Sequence, residues 1–150
     1  MDDIDRKILA ELQANGRLSL TDLGERIGLS LSPCHRRVRA LEEAGVIADY
    51  RANIDPVAVG LSFSAIVFVT LRSTDRAAVK AFEDAVPQVP EIIQAQRLFG
   101  DPDFMLHVIT TDLAAYQKLY DYSLSTLPSV QRLSSTLVMK NVVQNRPLPL

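Results

Sequence analysis

The sequence has few of the residues that form disulfide bonds or bind metal ions. Of its 150 residues, one is cysteine, two are histidine and none is tryptophan. One cysteine cannot close an internal disulfide, and two histidines beside it do not make a zinc-ligand cluster, so we expect neither metal nor cofactor. The longest apolar run, 65–69, is far shorter than the roughly 20 residues that span a bilayer. The acidic amino terminus lacks the layout of a signal peptide, which predicts a cytoplasmic protein with no membrane partner.

The chain also lacks an excess of positive charge. Its formal net charge is -2 at pH 7, which excludes a generally basic nucleic-acid binder. Any role on DNA must therefore come from a local cluster. One such cluster lies within 31–41, where no acidic residue occurs and His35, Arg36, Arg37 and Arg39 crowd together.

The first half of the chain predicts three short helices. Asp2 or Asp3 can cap the first helix, and Asn15-Gly16 is expected to end it in a left-handed cap. Apolar residues recur along this helix at intervals of three and four, which is the spacing of one buried stripe. They are Ile4, Ile8, Leu9 and Leu12.

The second and third helices are separated by a tight break. Thr21 is expected to cap the second helix, and Gly28 begins the break after it. Ser32 is expected to cap the third helix, with Pro33 in its first turn, where the missing N–H does no harm. Gly45 stops this helix after about residue 44.

The third helix has one apolar and one polar face. At about 100° per residue, Cys34, Val38 and Leu41 share a narrow arc that predicts the core face. Arg37 lies on the flank. The residues expected on the opposite, exposed face are Ser32, His35, Arg36 and Arg39. We interpret Cys34 as core packing because it has no catalytic partners, and His35 as a surface residue rather than a metal ligand.

This arrangement is typical of a helix-turn-helix, whose third helix enters the major groove of double-stranded DNA. Arginine suits that helix because its planar fork pairs with both acceptors of guanine, while other arginines hold phosphates. The pattern alone leaves a second interpretation open, in which the arginines are an ordinary solvated face of a three-helix segment.

The second half of the chain has a different period. Extended chain over 46–55 is expected to be a connector that ends at Asp55-Pro56 and again at Gly60. After it come, in order, a strand over 63–71, a helix over 75–86, a strand over 92–99, a turn over 100–103, a strand over 104–110, a helix over 112–127 and a strand over 130–143. The order β-α-β-β-α-β predicts a ferredoxin-like sandwich with both helices on one face of an antiparallel sheet.

The first strand of this sandwich is apolar on both faces. Alternate residues over 63–70 include Ala65, Val67 and Val69 on one side, and Ile66 and Phe68 on the other. A strand of this kind is expected to be covered on both faces, and the helices cover only one. We therefore expect a second subunit on the other face, which makes the protein a homodimer.

Three separated segments of the chain match a known pattern. They are DDIDRKILAELQANGRLSLTDLGERIGLS, then SPCHRRVRALEEAGVIADYRANIDPVAVG, and later GDPDFMLHV. The segments resemble the Lrp/AsnC (leucine-responsive, feast/famine) family of transcriptional regulators, and the last is similar to the family's Gly-Asp-x-Asp turn. The resemblance covers nearly the whole chain in order. We therefore predict an α+β protein with a (winged) helix-turn-helix domain over 1–50, a connecting strand or linker over 51–61, and a ferredoxin-like regulatory domain over 62–150.

The resemblance implies a bacterial or archaeal gene regulator whose dimers often assemble into octamers and bind an amino acid or related metabolite. The residues matched to the DNA-reading helix are Ser32, Pro33, His35, Arg36 and Arg39. Arg37 matches the family's Arg-Val pair, which is more structural than base-reading, although we include it in the predicted DNA-binding set. The residues matched to the effector turn are Gly100, Asp101 and Asp103, with Pro102 where an aromatic residue is frequent in the family.

The residues of this turn suit a ligand, and they are also typical of an ordinary β-turn. Gly100 lets a ligand approach the backbone closely, and Asp103 is a candidate partner for an α-ammonium group. Hydroxyls from a neighbouring subunit can complete the site, and the candidates are Ser134, Ser135 and Thr136. Without the family resemblance, the same four residues are simply a good β-turn sequence.

An enzyme is not predicted. The chain has no nucleophile-base-acid set and neither of the common glycine-rich phosphate motifs. Its acidic pairs do not place two carboxylates in visibly different environments, as acid-base chemistry requires. The alternative to a DNA-binding regulator is a metabolite-binding oligomeric module without specific DNA binding, whose amino-terminal helices merely pack.

Overall fold

The computed structural model describes residues 1–150 as two compact units. The helical unit consists of Met1–Asn53 together with Val142–Leu150, and the sheet unit consists of Ile54–Asn141. The longest helix has 13 residues, and no helix combines the length and hydropathy that a membrane span requires. No group of three or more histidine, cysteine, aspartate or glutamate side chains is placed to hold a metal ion.

The helical unit contains three α-helices, as the sequence predicted. They are α1 (Asp3–Ala14), α2 (Leu20–Ile27) and α3 (Leu31–Glu43). Asp2 caps α1 through the Asp5 amide. The prediction of a left-handed end was wrong, because Asn15 is extended at φ -148 and accepts the Arg17 amide with its own side chain.

Two predicted helix caps were also wrong, each by two residues. Ser19 rather than Thr21 caps α2, because its hydroxyl accepts the Asp22 amide at 3.0 Å and donates to the Asp22 carboxylate at 2.7 Å. Ser30 rather than Ser32 is the N-cap of α3, since its carbonyl already accepts the Cys34 amide at 3.2 Å. The residues predicted as caps lie inside the first turns of their helices.

The core of the helical unit is small. Five buried residues form it, namely Ile8, Leu23, Cys34, Val38 and Leu41. Gly24 is buried where α2 meets the turn before α3, and an added Cβ there would lie 2.6 Å from the Leu29 carbonyl oxygen. The carboxyl-terminal tail joins this unit through Gln13, whose carboxamide accepts the Leu148 amide at 2.7 Å and donates to the Leu148 carbonyl at 3.3 Å.

The sheet unit has the predicted β-α-β-β-α-β order. Its elements are β1 (Phe63–Leu71), α4 (Arg76–Ala85), β2 (Ile92–Arg97), β3 (Phe104–Thr110), α5 (Leu113–Tyr122) and β4 (Val130–Leu137). The strands form one sheet in the order β2-β3-β1-β4, and every neighbouring pair is antiparallel. The ferredoxin-like prediction is confirmed, including both bounds of β1 and β3.

Three elements of the sheet unit end at least two residues earlier than predicted. The strand β4 ends at Leu137 rather than at residue 143, because Leu137 pairs with Ala65 and β1 begins only two residues before it. The strand β2 ends at Arg97, since the Leu98 amide already closes the turn on the Asp103 carbonyl at 2.8 Å. The helix α5 ends at Tyr122 rather than at residue 127, and a 3₁₀ turn follows it.

The two faces of the sheet differ in burial. On the inner face, Val67 pairs with Leu106 and Val69 with Phe104, and all four side chains belong to the buried core with Phe82 of α4. The outer face carries the other alternate residues of the same strands. They include Ile66, Phe68, Met105 and His107, which are only half-buried.

Candidate functional site

The helix α3 presents the two faces that its periodicity predicted. Cys34 is fully buried, and Val38 and Leu41 are each 6% exposed. Burial also raises the pKa of the Cys34 thiol, so its protonated form is favoured. On the other side, the structure leaves Ser32, His35, Arg36 and Arg39 exposed, with Pro33 half-buried beside them.

The three arginines of α3 have different partners. Arg36 is exposed and forms no ion pair. Arg39 donates from Nε to Glu43 Oε1 at 2.8 Å, one turn along the same helix, and both side chains are mostly exposed. Arg37 instead pairs with the start of α1 through Asp2 and Asp5. Of the three arginines of α3, only Arg36 is therefore exposed and without an ion pair.

The Arg37 contact is a closed network of four carboxylate oxygens. Asp2 and Asp5 form a reciprocal capping box, in which each backbone N–H donates to one carboxylate oxygen of the other residue at 2.9–3.0 Å. The remaining oxygen of each carboxylate accepts from Arg37 Nη1 at 2.8 Å. The Asp5 amide and Arg37 lower the pKa of Asp2, and the Asp5 and Asp2 carboxylates raise the pKa of Arg37. We refer to these three residues as the Asp-Asp-Arg network.

The break between α2 and α3 has the geometry that its sequence favours. Gly28 adopts a left-handed conformation at φ 75, which a side chain would strain. The next amide, that of Leu29, donates to the Gly24 carbonyl at 2.8 Å. This bond closes the end of α2 and directs the chain to Ser30, where α3 begins.

The four predicted turn residues do lie together, in the loop between β2 and β3. Gly100 is exposed at φ 143, a conformation that favours glycine. Asp101 is exposed, whereas Pro102 and Asp103 are half-buried. Asp103 anchors the loop on β1, because its Oδ2 accepts the Leu71 amide at 2.7 Å and its own amide donates to the Val69 carbonyl at 3.0 Å.

A depression beside this turn brings opposite charges together. Its lining includes Gly100, Asp103 and Arg97, with Phe104 and Val79 supplying apolar surface. Arg97 has only a loose ion pair, at 3.7 Å from Glu83, so its guanidinium is available to an anion. Sequence reasoning missed Arg97, although its position at the end of a strand leading into the glycine turn was a usable signal.

The three predicted hydroxyls of β4 do not form one cluster. Ser134 pairs with Phe68 and Thr136 with Ile66, which places both on the outer face of the sheet. Ser135 lies on the inner face, where its hydroxyl bonds to the Tyr116 hydroxyl. Two strands, β3 and β1, separate β4 from β2. Within one protomer the structure therefore does not bring these hydroxyls to the glycine turn.

The outer face also holds a polar pair that the sequence did not single out. His107 Nε2 lies 2.6 Å from the Ser64 hydroxyl, across the β1–β3 ladder. Partial burial lowers the pKa of His107. The alternation of β3 could have placed His107 on this face, but its pairing with Ser64 depends on the register between two strands.

Comparison with protein families gives a match to each half of the chain. The model of the Lrp/AsnC ligand binding domain matches residues 64–148. The model of a winged helix-turn-helix DNA-binding domain matches residues 1–48. Together the two models cover nearly the whole chain.

Individual proteins are similar along nearly their whole length. The proline dehydrogenase transcriptional activator of Rhodobacter capsulatus is 40% identical over 148 residues, which are 98% of this chain and 96% of that protein. The leucine-responsive regulatory protein of Escherichia coli strain K12 is 38% identical over 148 residues, 99% of this chain and 90% of that protein. The crystal structure of a Neisseria meningitidis transcriptional regulator in complex with L-Met superposes with a TM-score of 0.93 at 36% identity, covering 99% and 96% of the two chains.

Proposed function

The chain belongs to the Lrp/AsnC family of transcriptional regulators, and on this basis we propose a function for each part of the chain. It is a transcriptional regulator with a helix-turn-helix DNA-binding region and an amino-acid-binding region, and the family is not one of enzymes. We propose that residues 1–50 bind double-stranded DNA, that 51–61 connect, and that 62–150 bind the effector and assemble the oligomer. Because its similar relatives are bacterial DNA-binding regulators, we propose that it acts in the cytoplasm.

The observation that carries the DNA-binding proposal is the state of Arg36. It is an exposed arginine on the third helix of a helix-turn-helix, with no carboxylate to neutralise it. A free guanidinium in this position can pair with both acceptors of guanine in the major groove. The supporting contacts that we propose come from the same exposed surface, formed by Ser32, Pro33, His35 and Arg39.

We propose that the effector is an amino acid or a related metabolite and that it binds at the Gly100–Asp103 turn. A free amino acid carries a carboxylate and an ammonium group a few ångströms apart. Arg97 suits the carboxylate and the free oxygen of Asp103 suits the ammonium group, because both residues line the same depression. Asp101, which is exposed in the same loop, is a second candidate for the ammonium group. The Neisseria meningitidis relative crystallised with L-Met supports this class of ligand.

We propose that Ser134 and Thr136 reach such a site only from another subunit, because β1 lies between β4 and the turn of their own protomer. Ser135, which bonds to Tyr116, contributes there only if that bond is exchanged. The half-buried apolar residues of the outer sheet face favour a homodimer formed through that face. Further association, up to an octamer, would array several DNA-binding pairs, and an effector would act by favouring one assembly over another.

The test is a titration of the purified protein onto the DNA upstream of its own gene, at fixed salt, with and without a pool of amino acids. We expect preference for this DNA over random DNA, and a change in affinity when the pool is added. A dimer should read two half-sites about 34–36 Å apart, so the protected site should be near-palindromic. Absence of any preference across the upstream regions tested would favour a metabolite-binding module instead.

The variant Arg36→Ala sharpens this test. We expect it to weaken specific binding by about 1–3 kcal/mol if Arg36 contacts a base, with the fold retained. We expect a smaller loss for Arg39→Ala, because Arg39 must first leave Glu43. The matched control is Lys80→Ala, which breaks the same kind of exposed i,i+4 pair on a helix of the sheet unit. Affinities equal to that of the wild type in both arginine variants would contradict the proposed reading surface.

A further inference from the structure

The Asp-Asp-Arg network joins the start of α1 to the middle of α3. Arg37 is the central residue of α3 in sequence, and it immediately follows Arg36. Its side chain is 30% exposed, and that of Asp5 is 16% exposed, so part of the network is shielded from water. All four carboxylate oxygens are used, two by the capping box and two by Arg37.

Such a network fixes more than the distance between two helices. The apolar contacts of α3, made by Cys34, Val38 and Leu41, are non-directional and do not by themselves fix its rotation about the long axis. A guanidinium held by two carboxylates on another helix resists that rotation, because both hydrogen bonds lengthen at once. The direction in which the preceding residue, Arg36, projects from the helix is then fixed as well.

We infer that Arg37 is a positioning residue for DNA reading, which holds α3 on the capping box of α1 and thereby orients Arg36. The inference rests on the proposed function, because it concerns how the proposed reading surface is aimed. Arg37 itself does not touch DNA in this assignment. This separates it from the other basic residues of α3, with which it was grouped on sequence grounds.

The assignment makes a prediction opposite in sign to simple electrostatics. Replacing both aspartates by asparagine removes two negative charges from the DNA-binding unit, which by charge alone should tighten binding to any DNA. Asparagine is also a good N-cap, so its amide oxygen keeps the box bonds while its NH₂ group faces Arg37. The positioning role instead predicts that binding to the specific site becomes weaker.

The experiment compares wild type, Asp2→Asn/Asp5→Asn, Arg37→Met and the combined triple variant on the specific site and on random DNA. We expect the Asn pair and Arg37→Met each to weaken specific binding by about three- to tenfold, on the scale of one partly exposed ion pair. The triple variant should be no weaker than Arg37→Met alone, because all three changes break one network. Binding of the Asn pair to random DNA should be unchanged or tighter.

A salt series separates positioning from direct contact. If Arg37 binds a phosphate, Arg37→Met reduces the slope of log affinity against log salt by about one, whereas a positioning residue leaves the slope unchanged. The control is Glu11→Gln, which breaks the Arg26–Glu11 pair between α1 and α2 without touching α3, and it should bind the specific site no more weakly than wild type. Circular dichroism and thermal melting confirm that each variant is folded at the temperature of the titration.

The outcomes are distinct. A wild type without preference for its site would overturn the proposed function itself. A wild type that binds specifically, with an Asn pair that binds its site equally well or more tightly, would overturn the positioning role. A reduced salt slope in Arg37→Met would make Arg37 a phosphate contact and would overturn it as well. A parallel specific loss in the Asn pair and Arg37→Met, at unchanged slope, supports it.

Discussion

The helical unit and the sheet unit are held together by different means. The sheet unit buries fourteen core residues between its sheet and its two helices, and hydrogen-bonded ladders fix the register of its strands. The helical unit buries only five, and it adds the Asp-Asp-Arg network, the Arg26–Glu11 pair and the Gln13 contact with the tail. Hydrophobic burial scales with apolar area, so the smaller core contributes less to stability.

The difference shows how a small unit can keep a defined geometry. In the sheet unit, apolar packing and the strand ladders together supply stability and shape. In the helical unit, directional polar contacts and close backbone approaches have to supply part of the shape. Substitutions should therefore affect the sheet unit mainly through lost apolar volume, and the helical unit mainly through lost directional or close contacts.

The largest effect is expected from Phe82→Ala in the sheet unit. Phe82 is fully buried, and its ring centroid lies 4.5 Å from that of Phe104. We expect the free energy of unfolding of this unit to fall by about 3–5 kcal/mol, because the substitution leaves a cavity in the core. Urea unfolding followed by amide NMR signals from each unit measures this. Simultaneous loss of signals from both units at one urea concentration would contradict separate stabilisation of the two units, since both would then unfold in a single transition.

The next effect is expected from Gly24→Ala in the helical unit. The new methyl group would lie 2.6 Å from the Leu29 carbonyl oxygen and 3.7 Å from the Cys34 Cβ, so the turn before α3 must shift. We expect a loss of about 1–3 kcal/mol in the stability of this unit, in spite of the better helix propensity of alanine. Gly16→Ala is the matched control, since its methyl group would meet nothing closer than 3.6 Å. Equal melting temperatures for the two variants would show that close approach at Gly24 is unimportant.

The smallest effect is expected from the titration of His107. Burial lowers the pKa of His107 in the folded sheet unit below the ordinary value of 6.5, so the unfolded chain binds this proton more readily. The contribution of neutral His107 to stability is therefore complete above pH 6.5, and it is lost as the pH falls through 6.5 toward the lowered value. The variant His107→Gln should flatten this part of the stability profile, measured by urea unfolding between pH 5 and 8.

The control for His107 is His35→Gln, which removes the other histidine, exposed on α3 in the helical unit. It should leave the pH profile of the sheet unit unchanged. An identical pH profile for wild type and His107→Gln would contradict the burial of the imidazole that the structure shows.

Periodic features of the fold could be predicted from the sequence, whereas end points that depend on a distant partner could not. The buried arc of α3 followed from helical periodicity, and the bounds of β1 followed from a strongly apolar run that is rich in β-branched residues. The end of β4 depends on where β1 begins, more than sixty residues earlier in the chain. The caps of α2 and α3 were misplaced because two hydroxyl residues, two positions apart, are equally suitable by residue type.

The same distinction holds for the candidate sites. Exposure of Arg36 and Arg39 could be predicted from the geometry of one helix. The pairing of Arg37 with Asp2 and Asp5 spans 35 and 32 residues and depends on how α1 crosses α3, which no local pattern determines. Within the glycine turn, the sequence predicted which residues share the loop but not that one Asp103 oxygen is already bound to the Leu71 amide.

The contact between Gln13 and Leu148 has a consequence for how the protein is made. The helical unit is discontinuous in sequence, because its two segments, Met1–Asn53 and Val142–Leu150, flank the whole sheet unit. The ribosome therefore makes the sheet unit before it makes the second segment. The three helices can therefore fold early in translation, but their unit is complete only after the sheet unit has emerged. A fragment cut after the helices, or a chimera that exchanges the amino-terminal half between relatives, would leave Gln13 without its native partner. Recombination within this family should therefore transfer the two ends of the chain together.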